Sequence, residues 1–267
     1  MIEILREVAK EVQKAVRPLA GTKEAGEFVK MGADGEPTVK VDDVAEKAAL
    51  GVLEKSEIPM IVLSEEAGLV ELGESPEYIC VLDPVDGTQN AVSGIPFYST
   101  SIAAAPYRAD ASASDIELGL VMNLATGDVF EAEIGHGARF NREKIMVEDV
   151  GLEESTISVY LKDDAEKLGR LLNGAKRIRS MGSVALELCH TAKGDYHGLV
   201  DLRNLLKVID VAAGKVILEE AGGILMSDGK GNAFDPSIMN LEGISVVACS
   251  SEKLYKDIAE LLSDGEH

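Results

Sequence analysis

The segment Asp83-Pro84-Val85-Asp86-Gly87-Thr88 carries the densest chemistry in the chain. It sets two carboxylates three residues apart, then a glycine and a hydroxyl, directly after the apolar run Tyr78-Ile79-Cys80-Val81-Leu82. A sharp turn at the end of a buried strand can aim Asp83, Asp86 and the Val85 carbonyl into one small volume. Such a volume suits hard divalent cations, which take oxygen ligands. If Gly87 and Thr88 open a short helix, their backbone amides point at an anion. Oxygen ligands for a metal beside an anion cradle are what phosphate-ester chemistry needs.

Other acids stand at similar places. Asp42 and Glu46 are spaced i, i+4 and share one face of a helix read over 42–53. Ser64-Glu65-Glu66 ends a short strand at 61–63, and Asp210 opens a helix running to Ala221. Each has a plainer reading. Asp42 and Asp210 suit the first turn of a helix because of the helix dipole, Glu65 could be a surface charge, and Asp-Pro-x-Asp-Gly is good turn chemistry.

The elements that must position these groups follow from periodicity. Leu5, Val8, Val12, Val16 and Leu19 repeat at helical spacing over the first ~20 residues. The glycine-rich stretch 31–37 reads as a mobile loop. Strands at 79–82, 101–105, 118–122 and 129–134 point to a mainly antiparallel sheet in the first half. Beyond it, strands at 157–161, 199–200, 224–226 and 245–248 alternate with helices at 163–172, 183–192, 210–221 and 251–263, an α/β pattern. The helix at 210–221 is closed by Gly222-Gly223. The expected division is 1–150, an α+β subdomain with most of the acids, and 151–267, an α/β subdomain with Asp210. The two are expected to pack tightly.

Composition narrows the function. The chain has 267 residues, is 46% hydrophobic and carries a net charge of −21. Repulsion then opposes nucleic acid or an anionic membrane as a partner. Cys80, Cys189 and Cys249 are far apart and lie in apolar runs, as buried free thiols do. The N-terminal residues are charged, and no apolar run reaches the ~20 residues of a membrane span. The expectation is a soluble cytoplasmic protein.

Together the motifs resemble one family. The string Asp83 to Asn90, preceded by Glu65-Glu66 and followed by Asp210-Val211-Ala212-Ala213-Gly214 and Glu220-Ala221-Gly222-Gly223, resembles the inositol monophosphatase superfamily over nearly the whole chain. The likeness is greatest to its archaeal inositol monophosphatase/fructose-1,6-bisphosphatase branch, which the loop at 31–38 also resembles. The resemblance implies a layered αβαβα sandwich, a homodimer, and Mg²⁺-dependent hydrolysis of a small phosphorylated sugar or polyol, with two or three Mg²⁺ ions (Mn²⁺ a possible substitute). It implies that Asp83 bridges two ions. Glu65 and the Val85 carbonyl complete the first site, and Asp86 and Asp210 the second. A third ion is held by Glu65 and waters. Asp42 lies behind the ligands or on a metal-bound water. Thr88, with Glu65, positions the attacking water, and the Gly87 and Thr88 amides hold the phosphate.

The same resemblance places Gly182, Ser183 and Val184 against the sugar or inositol ring, a role compatible with Ser183 as a helix N-cap. The departure is Arg203. Animal-type members place a glutamate seven residues before the downstream metal aspartate. A guanidinium there, with Lys207 one turn on, suits a second phosphate, although a salt-bridging arginine has the same appearance. Fructose 1,6-bisphosphate is therefore the expected substrate, with inositol 1-phosphate second. Tyr160 and Arg179 are further candidates for phosphate or sugar contact, and Tyr160 could equally be core. A 3′-phosphoadenosine 5′-phosphate or NADP(H) phosphatase is disfavoured by the absence of Trp and the scarcity of aromatics. A non-catalytic Mg²⁺ or sugar-phosphate sensor would lack one of these acids, and none is missing.

Overall fold

The computed structural model describes residues 1–33, 35–160, 165–240 and 242–263. The first half runs α1 (Ile2–Val16), β1 (Phe28–Met31), β2 (Pro37–Val39), α2 (Lys40–Lys55), β3 (Met60–Ser64), β4 (Gly68–Leu72), β5 (Tyr78–Asp86), α3 (Thr88–Ser93), β6 (Ser99–Pro106), β7 (Leu118–Asn123), β8 (Val129–Glu133), β9 (Gly137–Phe140) and β10 (Glu143–Lys144). The second runs β11 (Thr156–Tyr160), α4 (Ala165–Gly174), β12 (Arg177–Arg179), α5 (Val184–Lys193), β13 (Gly198–Leu206), α6 (Val208–Glu220), β14 (Ile224–Met226), β15 (Ile244–Cys249) and α7 (Glu252–Ser263).

These elements stack in five layers. α1 and α2 cover one face of an eight-stranded sheet of order β10-β9-β8-β7-β6-β5-β3-β4, in which only β3 and β5 pair in parallel. α5 and α6 fill the middle. A five-stranded mixed sheet of order β12-β11-β13-β15-β14 follows, and α4 and α7 close the far side. The expected αβαβα sandwich is the observed one.

Sequence patterning accounts for the layering. On α1, Leu5, Val8, Ala9, Val12 and Val16 form one buried stripe at 3- and 4-residue spacing. It packs on Val41, Ala45, Ala49 and Leu53 of α2 and on Leu82, Ile102 and Leu120 of the sheet. Each fully buried Leu or Val there contributes about 1.5–3 kcal/mol. The middle helix α6 is buried nearly all round, from Val208 to Leu218, because both sheets press on it. Close approach is needed where α6 crosses β7. A Cβ on Gly119 would lie 2.6 Å from the Ala213 carbonyl oxygen, so only glycine fits. α5 and α6 belong to the second half of the chain yet share one core with the sheet of the first half. That shared layer carries Asp210 to the same end of the molecule as Asp83.

Several elements differ from the sequence reading. β4, β9, β10 and β12 were not expected; all are short, and β4, β10 and β12 lie at sheet edges. Residues 31–37 join the hairpin β1–β2 rather than forming a loop alone, although Asp34 lies outside the described residues. So do Leu161 and the start of the helix expected from Asp163. β5 runs on to Asp86 instead of turning at Asp83. Among the described residues no helix is long and apolar enough to cross a membrane, and all three cysteines are buried and free.

Candidate active site

Side chains on a strand alternate faces, so residues three apart should point oppositely. Asp83 and Asp86 escape this because β5 is irregular between them. Asp83 pairs with Ser101 of β6 and Asp86 with Ser99, so three steps on one strand match two on the other. The extra residue restores the parity of the two aspartates. Pro84, with no N–H to give the ladder, sits inside the irregularity. Gly87 then takes φ +89° and turns the chain into α3. A Cβ there would come within 3.0 Å of the Gly182 carbonyl oxygen, so the turn requires glycine.

Four helix N-termini meet this strand end, and each brings a residue singled out from the sequence. Asp42 is the third residue of α2; one of its oxygens accepts a 3.4 Å bond from the Val39 amide. Thr88 is the first residue of α3. Its hydroxyl lies 2.9 Å from Asp42 Oδ1 and 3.0 Å from the Val85 carbonyl, sharing one proton between two acceptors. Asp86 accepts the Val184 and Ala185 amides at the start of α5, at 3.2 and 2.8 Å. Asp210 is the third residue of α6 and accepts the Lys207 amide at 2.6 Å. The plain reading of Asp42 and Asp210 as helix-start acids is thus correct, and it coexists with a shared site. Positive helix ends facing one point favour a bound anion.

The acids crowd one another. Asp83 is 2% exposed, and its Oδ1 is buried with no hydrogen-bond partner. Burial, then the charges of Glu65, Asp86, Asp210 and Asp42, push its carboxyl well above the usual range. Burial raises Asp42 and Asp210 to about 7 and Asp86 to about 6; Glu66 adds to the shift of Asp42, Glu187 to that of Asp86, and Asp86 itself to that of Asp210. Glu65 follows β3, its amide bonded to the Leu82 carbonyl at 3.2 Å. Beside it, Glu66 accepts the Thr38 hydroxyl, and the Glu66 carbonyl accepts the Ala33 amide at 3.2 Å. The β1–β2 hairpin is thereby docked against the strand end that carries Glu65.

An orphaned buried carboxylate oxygen within a group of mutually repelling acids fits a divalent cation. Among the described residues no three His, Cys, Asp or Glu side chains form a ready-made cage. Mg²⁺ does not require one, since it keeps several waters and takes one or two carboxylates with substrate oxygens.

A stability test follows from the crowding. The folded, metal-free protein holds protons on Asp42, Asp86 and Asp210 up to pH 6–7, whereas unfolded carboxylates release theirs near ~3.9. The fold therefore binds more protons across that window, and its stability falls as pH rises from about 4 to 7. The melting temperature in chelator should decline across this range and then level. Mg²⁺ at about 100 times its dissociation constant should raise it by roughly 5 °C at pH 7.5 and flatten the slope. A Mg²⁺-independent melting curve at pH 7.5 would remove these acids as a cation site.

The turn 180–184 lies beside the same cluster. The Ser183 hydroxyl donates to Asp86 at 2.5 Å, and Ser99 lies 3.3 Å from the same oxygen. Asn90 Nδ2 donates at 2.7 Å to both the Phe97 and Met181 carbonyls. The sequence reading named Gly182, Ser183 and Val184 but missed Ser99. It also included Asn90 in its motif without a role. Tyr160 donates to Glu187, and Arg203 binds the fully buried Asp201 through Nε and Nη2, at 3.0 and 2.6 Å. Its guanidinium also lies 4.6 Å from the Tyr160 ring centroid. The salt-bridging arginine weighed from the sequence is present, so a second phosphate would have to compete with Asp201. Arg179 is exposed on β12 and donates to the neighbouring Ile178 carbonyl. Lys207 caps α6. Glu187 and Asp201 carried no motif that could have marked them.

The sequence matches the inositol monophosphatase family over residues 1–266. The chain belongs to that family. It is 39% identical over 264 residues to the fructose-1,6-bisphosphatase/inositol-1-monophosphatase of Methanothermobacter thermautotrophicus, covering 96% of this chain and 94% of that one. It is 37% identical to a bifunctional NADP phosphatase/NAD kinase of Methanococcus maripaludis, covering 99% of this chain but 49% of that protein. The chain thus spans about half of that relative. A solved protein from Pyrococcus horikoshii with similarities to inositol-1 monophosphatase superposes with a TM-score of 0.82 at 29% identity, covering 97% of this chain and 96% of that one. As a member of this family the chain is a phosphoric monoester hydrolase.

Proposed function

We propose that the protein is a Mg²⁺-dependent phosphomonoesterase acting on fructose 1,6-bisphosphate and inositol 1-phosphate. The carrying observation is Asp83, buried with an unpartnered oxygen among Glu65, Asp86, Asp210 and Asp42. Asp83, Glu65 and the Val85 carbonyl would hold one ion, and Asp83, Asp86 and Asp210 a second; a third, with Glu65, follows from the family resemblance. Bound there, the ions would lower the pKa of water and offset charge on the phosphate and leaving oxygens.

The chain's own residues supply the remaining parts. The Thr88 proton shared toward Asp42 leaves the hydroxyl oxygen able to accept from a water and orient it. The Gly87 and Thr88 amides, at the start of α3, face the phosphate. Gly182, Ser183 and Val184 border the sugar. No protein nucleophile is required, because phosphoryl transfer depends on in-line positioning and charge stabilisation.

The test is phosphate release with Mg²⁺ from fructose 1,6-bisphosphate, inositol 1-phosphate, 3′-phosphoadenosine 5′-phosphate and NADP. Turnover of the first two is the expected result; none on either overturns the substrate reading. NADP is a second reading in its own right, favoured by the half-length match to a bifunctional NADP phosphatase/NAD kinase.

Arg203 tests preference between the sugar esters. Replacing it by Glu would set a carboxylate against buried Asp201, so Arg203→Gln is the cleaner variant. If Arg203 contacts a second phosphate, kcat/KM for fructose 1,6-bisphosphate should fall about tenfold more than for inositol 1-phosphate, roughly one charge-assisted hydrogen bond. Equal losses would leave Arg203 a structural partner of Asp201.

A further inference from the structure

We infer that Tyr160 and Glu187 are positioning residues that hold the Met181–Gly182 half of the 181–184 turn, setting affinity for the sugar part of the substrate rather than reactivity at phosphorus. This rests on the phosphomonoesterase reading.

The turn is anchored by two separate sets of bonds. Ser183, Val184 and Ala185 all donate to Asp86, which ties that half to the acid cluster. Met181 and Gly182 are anchored elsewhere. The Met181 amide donates to Glu187 Oε1 at 2.7 Å, and the Gly182 amide donates to the Tyr160 hydroxyl at 3.2 Å. That hydroxyl donates in turn to Glu187 Oε2 at 2.5 Å. Two successive turn amides are thus fixed by one carboxylate–phenol pair, while Asn90 holds the Met181 carbonyl from the other side.

The arrangement is costly unless geometry is its purpose. Glu187 is 0% exposed, and its two carboxylate oxygens accept from the Tyr160 phenol and the Met181 amide, with Ser158 and His190 also nearby. A buried carboxylate is destabilising relative to an apolar residue unless hydrogen bonds offset its desolvation. Gly182 is exposed with φ +90°, a conformation that leaves the peptide plane free to swing without these acceptors. The Tyr160 ring is held in turn by Arg203, which is fixed to Asp201. Arg203, the residue that set this chain apart in the sequence, therefore reaches the sugar-facing turn through Tyr160.

The experiment compares Tyr160→Phe, Glu187→Gln and the double variant on inositol 1-phosphate and on p-nitrophenyl phosphate, which has no sugar, with Mg²⁺ and melting temperatures throughout. Tyr160→Phe keeps the ring and its stack with Arg203 and removes only the hydroxyl. KM for inositol 1-phosphate should rise about tenfold, the scale of one or two lost hydrogen bonds. KM for p-nitrophenyl phosphate should rise less than about threefold, and kcat on both should change less than KM. The double variant should be little worse than the worse single one, because the two groups act as a unit.

Equal losses on both esters, or an unchanged KM for inositol 1-phosphate, would overturn the inference. If Glu187→Gln does not fold, Tyr160→Phe decides alone. A wild-type protein inactive on every ester would instead sink the phosphatase reading, whereas an active wild type with indifferent variants sinks only the positioning role.

Discussion

Asp83→Asn is expected to lower Mg²⁺-supported turnover by at least ~10³-fold, a loss of about 4 kcal/mol of transition-state stabilisation. The substitution is nearly isosteric but removes a charge at the residue that four other carboxylates face, and whose own Oδ1 has no protein partner. Without a cation, that loss of charge relieves repulsion, so Asp83→Asn should melt at or above the wild type in chelator. It should also lose most of the Mg²⁺-dependent gain in melting temperature. Low activity and raised metal-free stability in one variant would show that this carboxylate is kept for function. If Asp83→Asn retained near-normal Mg²⁺-dependent turnover, the two-site reading would be wrong.

Thr88→Val should cost about 10²–10³-fold in kcat, within the range of a positioned proton-transfer group, with KM little altered. Valine keeps the shape and removes the hydroxyl that joins Asp42 to the Val85 carbonyl. Thr88→Ser should recover most of the activity, since it restores the oxygen. Asp42→Asn should produce a loss of similar kind, and Thr88→Val combined with Asp42→Asn should be far less than multiplicative, because one bond joins the two. Fully multiplicative losses would separate Asp42 from Thr88 and leave Asp42 as a helix-start acid alone.

The fold was legible where a pattern repeats. The stripe on α1, the alternating runs of the antiparallel sheet and the helix stop at Gly222 are local signals, and local physics decides them. What escaped was short or shared. β4, β9, β10 and β12 have two to five residues and owe their pairing to neighbours already in place. β5 runs four residues further than its apolar run because Ser99 and Ser101 supply a partner edge.

The site divides in the same way. Asp42, Glu65, Asp83, Asp86, Thr88 and Asp210 can be read from sequence because oxygen-ligand chemistry demands those types, and because Asp, Thr and Gly also favour strand ends and helix starts. By itself the sequence determined the reaction class and put forward the set of acids proposed for the site. Only the tertiary structure decided how they meet. The irregularity in β5 puts Asp83 and Asp86 on one side, and the shared middle layer brings Asp210 across more than a hundred residues of chain. It also decided that Arg203 is bound to Asp201 and stacked on Tyr160, and that Tyr160 and Glu187 hold the Met181 and Gly182 amides. Those pairings join residues 27 to 127 positions apart, or depend on which way a strand faces, and no local spacing encodes either.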